Sequence, residues 1–368
     1  MDLDHWHMAH ALELADRGQG LVEPNPMVGC VIAQGVEVIG EGWHRLYGGP
    51  HAEMEALRVA GSRAAGATMY VTLEPCCHHG KTPPCTEAII RAGLARVVVA
   101  QRDPFPEVAG KGIAQLQSAG IVVEVGLGEA EASEMNAPYL KLVATGRPWI
   151  LAKWAMTLDG KLATRTAGSQ WISGMQSREV VHQLRGRVDA ILVGRGTAEH
   201  DDPKLTARPA GLRTATRIVL DTRAVIATDS QLVRTACEIP VLVAAGEDAP
   251  PAHRKRLIDA GCEVLILPGQ SFPERLDALL VELGRRRMTN VLVEGGAHVF
   301  GTLLDRKSID EDPAFIAPKL IGGAEAPGPI AGLGVANMAD AILLPSLAVR
   351  PIGSDVYIFG RVEYPSNG

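Results

Sequence analysis

Aromatic residues and excess positive charge are both scarce in this chain of 368 residues. Phe, Tyr and Trp number five each, and 42 acidic residues outnumber 36 Lys and Arg residues, which gives a formal net charge of −6. Proteins that bind nucleic acids combine basic surfaces with aromatic side chains on which bases stack. The composition therefore argues against a protein that coats nucleic acid or an anionic membrane.

Long apolar runs are absent as well. No stretch approaches the roughly 20 apolar residues of a bilayer-spanning helix. The start of the chain, MDLDHWHMAH, lacks the basic-then-apolar order of a secretory signal. We therefore expect a cytoplasmic protein that binds no membrane. The apolar fraction of 46% is nevertheless sufficient for buried cores, and the length suits two domains.

Cysteine is too sparse for a disulfide framework, with six residues in the chain. Cys30 and Cys262 lie in strand-like segments, so we expect a small buried core residue at both positions. The segment 74–85 differs, because it reads EPCCHHGKTPPC and contains three of the six cysteines. In a cytosolic chain such a cluster is typical of a metal-binding or catalytic site.

Residues 1–146 alternate helical and strand patterns. His5, His7 and His10 lie on a first amphipathic helix, and we predict that they form its solvated face rather than a row of metal ligands. MVGCVIA and EVIGEGWH predict a β-hairpin, and ARVVVAQRD is typical of a strand buried on both faces. CTEAIIRAG begins after two prolines and ends at a glycine, as helices do. The pattern predicts an α/β sandwich.

The segment ATGRPWILAK interrupts this pattern, and we place a domain boundary after residue 146. In residues 147–368, strands such as VDAILVG, TRIVLD and PVLVAA alternate with helical segments. This order predicts a second α/β domain with a largely parallel sheet.

A dinucleotide-binding fingerprint is missing from this second part, since GRGTAE at 194–199 has no third glycine. The run NVLVEGGAHVF is more informative, because a buried strand passes through two glycines directly into a helix. Such a junction can present backbone N–H groups to an anion. A tight turn without a ligand explains the run equally well.

A candidate metal site combines the cysteine cluster with His51 and Glu53 in PHAEMEAL. One histidine, a glutamate two residues later, and then Pro-Cys with a further cysteine form the signature of zinc deaminases, in which the glutamate is not a ligand. Three protein ligands leave a position open for water, whose pKa zinc lowers to about 7. A closed structural zinc site would leave Glu53 without a purpose.

The segments PNPMVGCV, HAE and TLEPCCHHGKTPPC resemble the deaminase half of the bifunctional riboflavin-biosynthesis enzymes, which implies a cytidine-deaminase-like α/β/α sandwich. The resemblance implies zinc ligands at His51, Cys76 and Cys85, with Glu53 as the proton shuttle. It also implies four substrate contacts, at Asn25, His44, His78 and Lys81. Relatives usually have serine at the position of Cys77, so Cys77 is expected to be dispensable.

The segments AKWAMTLDGKLAT, SQWIS, DDPKLTAR and VEGGAHVFGTLL resemble the reductase half of the same enzymes, which implies a dihydrofolate-reductase-like α/β fold and NADPH as the cofactor. The implied cofactor contacts are Ala155, Trp171, Thr197, Asp201, Thr222, Gly296, Ala297, His298, Val299, Phe300, Gly301 and Thr302. The implied contacts to a ribosyl-phosphate substrate are Ser169, Arg185, Leu205, Arg208 and Glu294. The guanidinium groups of Arg185 and Arg208 suit bidentate phosphate recognition. Lys153 and Asp159 are candidates for proton transfer.

The implied function is zinc-dependent deamination of 2,5-diamino-6-(5-phosphoribosylamino)pyrimidin-4(3H)-one, followed by NADPH-dependent reduction of the ribosyl chain to ribityl. The resemblance also implies possible homo-oligomers through the reductase domain. Two alternatives are a zinc-dependent nucleobase deaminase with an appended nucleotide-binding domain and a catalytically inactive zinc scaffold. Release of ammonia separates the scaffold from both enzymes.

The chain departs from its relatives at SIDEDPAFIAP, where they usually have an apolar strand. Asp310, Glu311 and Asp312 are poor strand formers, and Pro313 cannot donate a ladder hydrogen bond. We predict that the strand starts late, near Ala314, after an acidic loop. This loop either weakens association of the reductase domains by charge repulsion or faces solvent without effect on assembly.

Overall fold

A computed structural model describes residues 2–78, 83–166, 168 and 171–365. The chain folds as two compact units, Met1–Gly146 and Arg147–Gly368. Among the described residues, no helix has both the length and the apolar character needed to cross a membrane.

The first unit is one five-stranded sheet covered by helices on both faces. Its strands are β1 (Gly29–Gln34), β2 (Glu37–Trp43), β3 (Thr68–Val71), β4 (Arg96–Val99) and β5 (Val122–Val125). Its helices are α1 (Leu3–Asp16), α2 (Ala52–Ala60), α3 (Cys85–Ala92), α4 (Lys111–Ser118), α5 (Glu129–Met135) and α6 (Ala137–Thr145). The strand order is β2-β1-β3-β4-β5, with β3, β4 and β5 parallel to one another and β1 antiparallel to both of its neighbours. The predicted α/β sandwich is confirmed.

Local sequence explains these elements. The β-branched run Arg96–Val99 is the buried β4, paired on both sides. Helix α3 begins after two prolines and ends at Gly93, whose φ of 70° is left-handed and therefore suits glycine. Cys30 is buried as predicted. The prediction of a solvated histidine face on α1 is wrong for His7, which is fully buried and donates from Nε2 to Gly35 O at 2.8 Å.

A close helix–sheet contact positions the first turn of α2. A Cβ at Gly42 on β2 would lie 2.5 Å from the carbonyl oxygen of Ala52, a distance that real Cβ atoms do not adopt. Glycine therefore lets the start of α2 lie directly against the sheet. This contact brings His51 and Glu53, at the start of the helix, beside the sheet.

The second unit contains two sheets. Its strands are β6 (Trp149–Ala152), β7 (Trp154–Thr157), β8 (Ala190–Gly194), β9 (Thr216–Leu220), β10 (Val241–Gly246), β11 (Glu263–Leu267), β12 (Asn290–Gly295), β13 (Ala314–Ala317), β14 (Ala348–Ile352) and β15 (Asp355–Phe359). Its helices are α7 (Met175–Arg185), α8 (Arg195–Asp201), α9 (Gln231–Arg234), α10 (Pro251–Asp259), α11 (Phe272–Arg285) and α12 (Ala297–Asp305).

The larger sheet, ordered β11-β10-β9-β8-β12-β6, is parallel throughout, which confirms the predicted parallel sheet. The smaller sheet, ordered β14-β15-β13-β7, is mixed and was not predicted. Because the six strands of the larger sheet are parallel, their carboxyl ends share one edge, where open α/β sheets bind ligands. Apolar side chains fill a core on each of its faces, and Cys262 belongs to one of them.

The strand that follows the acidic segment, β13, starts at Ala314, as predicted. Its carboxylates are not solvent-facing, however, because protein groups surround them. Asp310 accepts from the backbone N–H of Ile150 at 2.7 Å, and Glu311 accepts from Nε1 of Trp149 at 3.3 Å. Burial, together with the nearby Glu311, raises the pKa of Asp312 to about 8.

Candidate functional site

Three side chains of the first unit converge as a potential metal site. His51, Cys76 and Cys85 each offer a ligand atom, and these atoms lie within 4.8 Å of one another. His51 Nδ1 lies 3.5 Å from Cys76 Sγ and 3.3 Å from Cys85 Sγ. His51 precedes α2, Cys76 follows β3, and Cys85 begins α3. One imidazole nitrogen and two sulfurs are a donor set that suits zinc.

Without a metal, the three ligands share their protons unequally. Hydrogen bonds from Cys85 and His51 lower the pKa of Cys76 to about 4, which favours the thiolate that binds metals. The hydrogen bond to Cys76 raises the pKa of His51 to about 9, and the pKa of Cys85 is raised by its hydrogen bond to Cys76 and by burial. A metal would therefore have to displace the protons of His51 and Cys85 as it binds.

Glu53 lies beside this cluster without joining it. Its side chain is buried, at 3% exposure, in the first turn of α2. Burial raises the pKa of Glu53, although the nearby His51 opposes that shift. A carboxyl group that is buried next to three ligand atoms can exchange protons with a small molecule in the site.

Three of the predicted substrate contacts can be located around the cluster. Nδ1 of His44 donates to Pro50 O at 3.0 Å, which leaves Nε2 to accept from Asn25 Nδ2 at 3.3 Å. The ring of His44 meets that of His51 edge-on, with centroids 5.5 Å apart. His78 lies further along the loop, with Nε2 3.7 Å from a carboxylate oxygen of Glu107. Asn25 and His44 therefore adjoin the metal cluster through His51.

Cys77 and Lys81 also belong to the cysteine segment. Cys77 lies outside the three-ligand group, and its Sγ faces the carbonyl oxygen of Glu107 at 3.7 Å. Lys81, the fourth predicted substrate contact, lies outside the described residues.

Glu74 is a residue of this site that the sequence analysis missed. Its buried carboxylate accepts hydrogen bonds from the backbone N–H groups of Asp103, Gly110 and Ile113 at 3.3, 3.0 and 3.1 Å. These bonds tie the 103–110 loop to the strand end that carries Cys76. A glutamate directly before the Pro-Cys pair was a visible signal, but its partners are distant in sequence.

The second unit contains a cavity of about 1580 Å³ at the carboxyl edge of its larger sheet. Ten of the predicted cofactor contacts and four of the predicted substrate contacts are among its lining residues. The cofactor contacts are Ala155, Trp171, Thr197, Asp201, Thr222, Gly296, Ala297, His298, Val299 and Phe300, and the substrate contacts are Arg185, Leu205, Arg208 and Glu294. The fold thus brings residues from six stretches of sequence to one cavity.

Two of the predicted contacts that the structure describes do not lie in this cavity. Gly301 faces the opposite way, because a Cβ there would lie 2.1 Å from the carbonyl oxygen of Ala331. Thr302 is buried in α12 and donates its hydroxyl to His298 O at 2.9 Å. The structure therefore separates both residues from the other predicted contacts. Ser169 lies outside the described residues.

An ion pair at the cavity wall changes the role expected for Arg185. Its Nε and Nη2 donate to the two carboxylate oxygens of Glu294 at 2.6 and 2.8 Å. Its side chain is 13% exposed and that of Glu294 is 6% exposed. The guanidinium fork is thus occupied by a carboxylate, so the bidentate phosphate contact expected of Arg185 does not fit this geometry. Arg208, which is exposed at the same cavity, remains suited to it.

The two candidates for proton transfer lie in different surroundings. Lys153 lines the cavity, and burial lowers its pKa while the nearby Glu294 opposes that shift. Asp159 is not among the lining residues. Its carboxylate accepts from the Thr157 hydroxyl at 2.6 Å and from the backbone N–H of Gly322 at 2.7 Å. Asp159 therefore connects the turn after β7 to the segment after β13.

The junction between β12 and α12 fits the diphosphate of a dinucleotide. A Cβ at Gly295 would lie 2.8 Å from Oγ1 of Thr197, so only glycine allows this approach. Gly296 has a φ of 85°, in the region that favours glycine, and caps the nine-residue helix α12. Both glycines and Ala297 line the cavity, where the first N–H groups of a helix can bind an anion.

Comparisons with known proteins match both units. Residues 1–101 match the cytidine and deoxycytidylate deaminase zinc-binding region, and residues 148–358 match the RibD C-terminal domain. The riboflavin biosynthesis protein RibD of Aquifex aeolicus is 40% identical over 359 residues, which cover 97% of this chain and 98% of that protein. The RibD of Escherichia coli is 40% identical over 366 residues, which cover 96% of this chain and 98% of that protein.

Solved structures agree with these matches over nearly the whole chain. Acinetobacter baumannii RibD superposes with a TM-score of 0.87 at 36% identity, over 98% of this chain and 99% of that one. A Thermotoga maritima diaminohydroxyphosphoribosylaminopyrimidine deaminase/5-amino-6-(5-phosphoribosylamino)uracil reductase superposes with a TM-score of 0.80 at 34% identity, over 98% of both chains. The chain is a bifunctional enzyme of riboflavin biosynthesis that uses zinc and NADPH, and it belongs to the RibD family.

Proposed function

We propose that Met1–Gly146 deaminates 2,5-diamino-6-(5-phosphoribosylamino)pyrimidin-4(3H)-one and that Arg147–Gly368 then reduces the ribosyl side chain to ribityl. The observation that carries this proposal is the pairing of a three-ligand metal cluster beside a buried glutamate in one unit with a dinucleotide-sized cavity in the other. The reaction named for the Thermotoga maritima relative supports the choice of substrate.

In the first unit, His51, Cys76 and Cys85 would hold zinc, and the three-ligand set leaves one position open. Bound zinc would lower the pKa of a water molecule to about 7 and so supply a nucleophile at neutral pH. Glu53 would accept one proton of the attacking water and deliver it to the ring nitrogen. It would then accept the remaining hydroxyl proton and deliver it to the amine, which departs as ammonia. Burial of Glu53 against the cluster supports this role, because the carboxyl group reaches the reacting atoms without bulk water.

The pyrimidine would be oriented by Asn25, His44 and His78. Burial lowers the pKa of His44, so its imidazole is neutral at pH 7 and offers one donor and one acceptor. Its Nδ1 proton is held by Pro50 O, which fixes the tautomer. Lys81 is proposed to bind the sugar phosphate of this substrate.

In the second unit, NADPH would lie along the cavity with its diphosphate at Gly296 and Ala297. Bound NADPH supplies the hydride that reduces C1′ of the ring-opened ribosylamine. Arg208 binds the substrate phosphate. Lys153 is proposed to donate a proton during ring opening, because it lines the cavity, burial lowers its pKa, and Glu294 lies close enough to affect that pKa.

Assembly and cellular location are also part of the proposed function. The reductase units are proposed to associate as homo-oligomers. The enzyme is proposed to work in the cytoplasm, because all six cysteines are free and two of them serve as metal ligands, as expected in a reducing compartment.

The direct test is mass analysis of products formed from the diaminopyrimidine substrate with and without NADPH. Without NADPH, the deaminated ribosyl compound and ammonia should accumulate. With NADPH, the product should gain two hydrogens at the sugar. Ammonia without any reduction would support a deaminase with an appended nucleotide-binding domain, and no ammonia at all would support an inactive scaffold.

A further inference from the structure

Two arginines at the rim of the second unit's cavity have no role in the chemistry described above. Arg195 follows β8 and Arg223 lies three residues after β9, and both line the cavity, as does Thr222. We propose that Arg195 and Arg223 bind the 2′-phosphate of NADPH and make this unit selective for NADPH over NADH. The inference rests on the reductase function proposed above and names the residues that choose the cofactor.

The acidic residue beside these arginines is already engaged. Where an α/β sheet binds NAD, a carboxylate after a strand commonly accepts from the ribose 2′-hydroxyl, whereas an arginine accommodates the phosphate of NADP. Asp221, directly after β9, has the position of that carboxylate. It is 1% exposed and accepts from the backbone N–H of Ile226 at 2.7 Å. Its other oxygen lies 3.9 Å from Nε of Arg195, so this guanidinium covers it.

Arg223 supplies an available donor group. It is exposed at the cavity, and its guanidinium has no hydrogen bond or ion pair with any residue in the part of the chain that the structure describes. Its backbone is held in place, because its carbonyl oxygen accepts from Nδ1 of His253 at 3.1 Å. A guanidinium group presents a planar set of donors that matches a phosphate.

Negative charges near the rim oppose the proposal and must be outweighed. Glu199 pairs with Arg195 at 2.9 Å, but both side chains are more than a third exposed, and such a pair is weak enough for a phosphate to compete. Asp248 also lines the cavity and is exposed. If Asp248 instead accepted from a ribose 2′-hydroxyl, the unit would prefer NADH. Arg195 is held by an exposed pair with Glu199 and a 3.9 Å contact with Asp221, and Arg223 has no carboxylate partner among the described residues. Both guanidinium groups can therefore turn to the phosphate.

The test is direct binding of NADPH and NADH to the full chain, measured by nicotinamide fluorescence and without turnover. The wild-type protein should bind NADPH more tightly than NADH. Arg195→Gln and Arg223→Gln should each weaken NADPH binding about tenfold, as expected for loss of a charge-assisted hydrogen bond, with NADH binding unchanged. Arg234→Gln is the matched control, because this exposed arginine on α9 does not line the cavity.

The outcomes separate this inference from the proposed function. Binding of neither dinucleotide by the wild-type protein would overturn both. Equal affinity of the wild-type protein for the two dinucleotides would overturn the inference alone. The inference would also be overturned if the arginine variants bound NADPH with wild-type affinity, or if their affinities for NADPH and NADH fell to the same extent. Glu199→Gln provides a second arm, since release of Arg195 from its pair should tighten NADPH binding and leave NADH binding unchanged.

Discussion

The two units build their sites in different ways. In the first unit the metal cluster draws on two short stretches, His51 to Glu53 and Cys76 to Cys85, and its ligand atoms lie within 4.8 Å of one another. In the second unit the cavity of about 1580 Å³ is lined by residues from Lys153 to Pro327. A metal ion needs a few ligand atoms at short range, whereas a dinucleotide needs a long surface. Sequence spacing therefore reveals the first kind of site far more readily than the second.

The largest expected effects fall on the compact site, where single side chains have separate tasks. Cys76→Ala should lose both zinc and deamination, because two ligands remain. Glu53→Ala should retain about one zinc per chain and lose roughly 10²–10⁴-fold in ammonia release, the range for a missing general acid–base group. Zinc content by atomic absorption and ammonia release, measured on the same samples, test both expectations.

Cys77→Ser is the matched control for this experiment. The Sγ of Cys77 faces Glu107 O and lies outside the ligand group, so the variant should keep both zinc and activity. Loss of zinc from this variant would mean that the ligand assignment is wrong.

A second prediction tests whether the two sites are independent. A fragment of residues 1–146 contains its own sheet and its own buried core, so it should release ammonia without NADPH. In the full chain, Glu53→Ala should still oxidise NADPH with the deaminated substrate at the wild-type rate. Absorbance at the NADPH band measures this, and a loss of oxidation in Glu53→Ala would indicate one composite site.

A third prediction concerns the support of the compact site. Glu74→Ala should destabilise the first unit by roughly 3 kcal/mol, because three backbone N–H groups lose their acceptor. Urea denaturation of the 1–146 fragment measures this, and Glu131→Gln, at an exposed position on α5, is the control. An equal stability of Glu74→Ala and the control would show that the 103–110 loop is held by other contacts.

A fourth prediction uses the raised pKa of Asp312, about 8, in the second unit. The pKa of this carboxyl group in the unfolded chain is about 4. Below about pH 4 the group is protonated in both states and its contribution to stability is fully present. As the pH rises from about 4 towards 8 the unfolded chain ionises it first, so that contribution is lost. Asp312→Asn should therefore melt roughly 3 °C above the wild type at pH 8 and alongside it at pH 4. A difference of the same size at both pH values would contradict this assignment.

The smallest effect concerns assembly of the second unit. Replacing Asp312 and Pro313 by Leu and Val should raise the stability by an amount on the order of 1 kcal/mol, because an apolar side chain suits the partly buried position of Asp312 and Val suits a strand. If the start of β13 takes part in association of the reductase units, the same change should strengthen the dimer. Sedimentation across a dilution series, with thermal melts of the same samples, measures both changes. If neither the dissociation midpoint nor the melting temperature moves, the acidic segment is neutral for assembly.

Local patterns predicted most of the elements that carry the two sites. The parallel strands of the second unit and the α/β sandwich of the first follow from apolar runs separated by glycine and proline. The mixed sheet of β7, β13, β14 and β15 was missed, because β13 and β7 are distant in sequence and β14 and β15 have exposed side chains at many positions. His7 was misjudged for a related reason, since its partners Gly35 O and the ring of Tyr70 are distant in sequence.

The sequence by itself determined the metal chemistry, because His51, Glu53, Cys76 and Cys85 have residue types and spacings that few other functions require. Only the tertiary structure decided which polar groups are already paired. The guanidinium of Arg185 pairs with Glu294, 109 positions away in the sequence. Gly301 faces away from the cavity. Asp221 accepts a hydrogen bond from the backbone N–H of Ile226 in the turn that follows it. Pairing depends on distances between elements that are far apart along the chain, and those distances exist only once the sheets and their helices have packed.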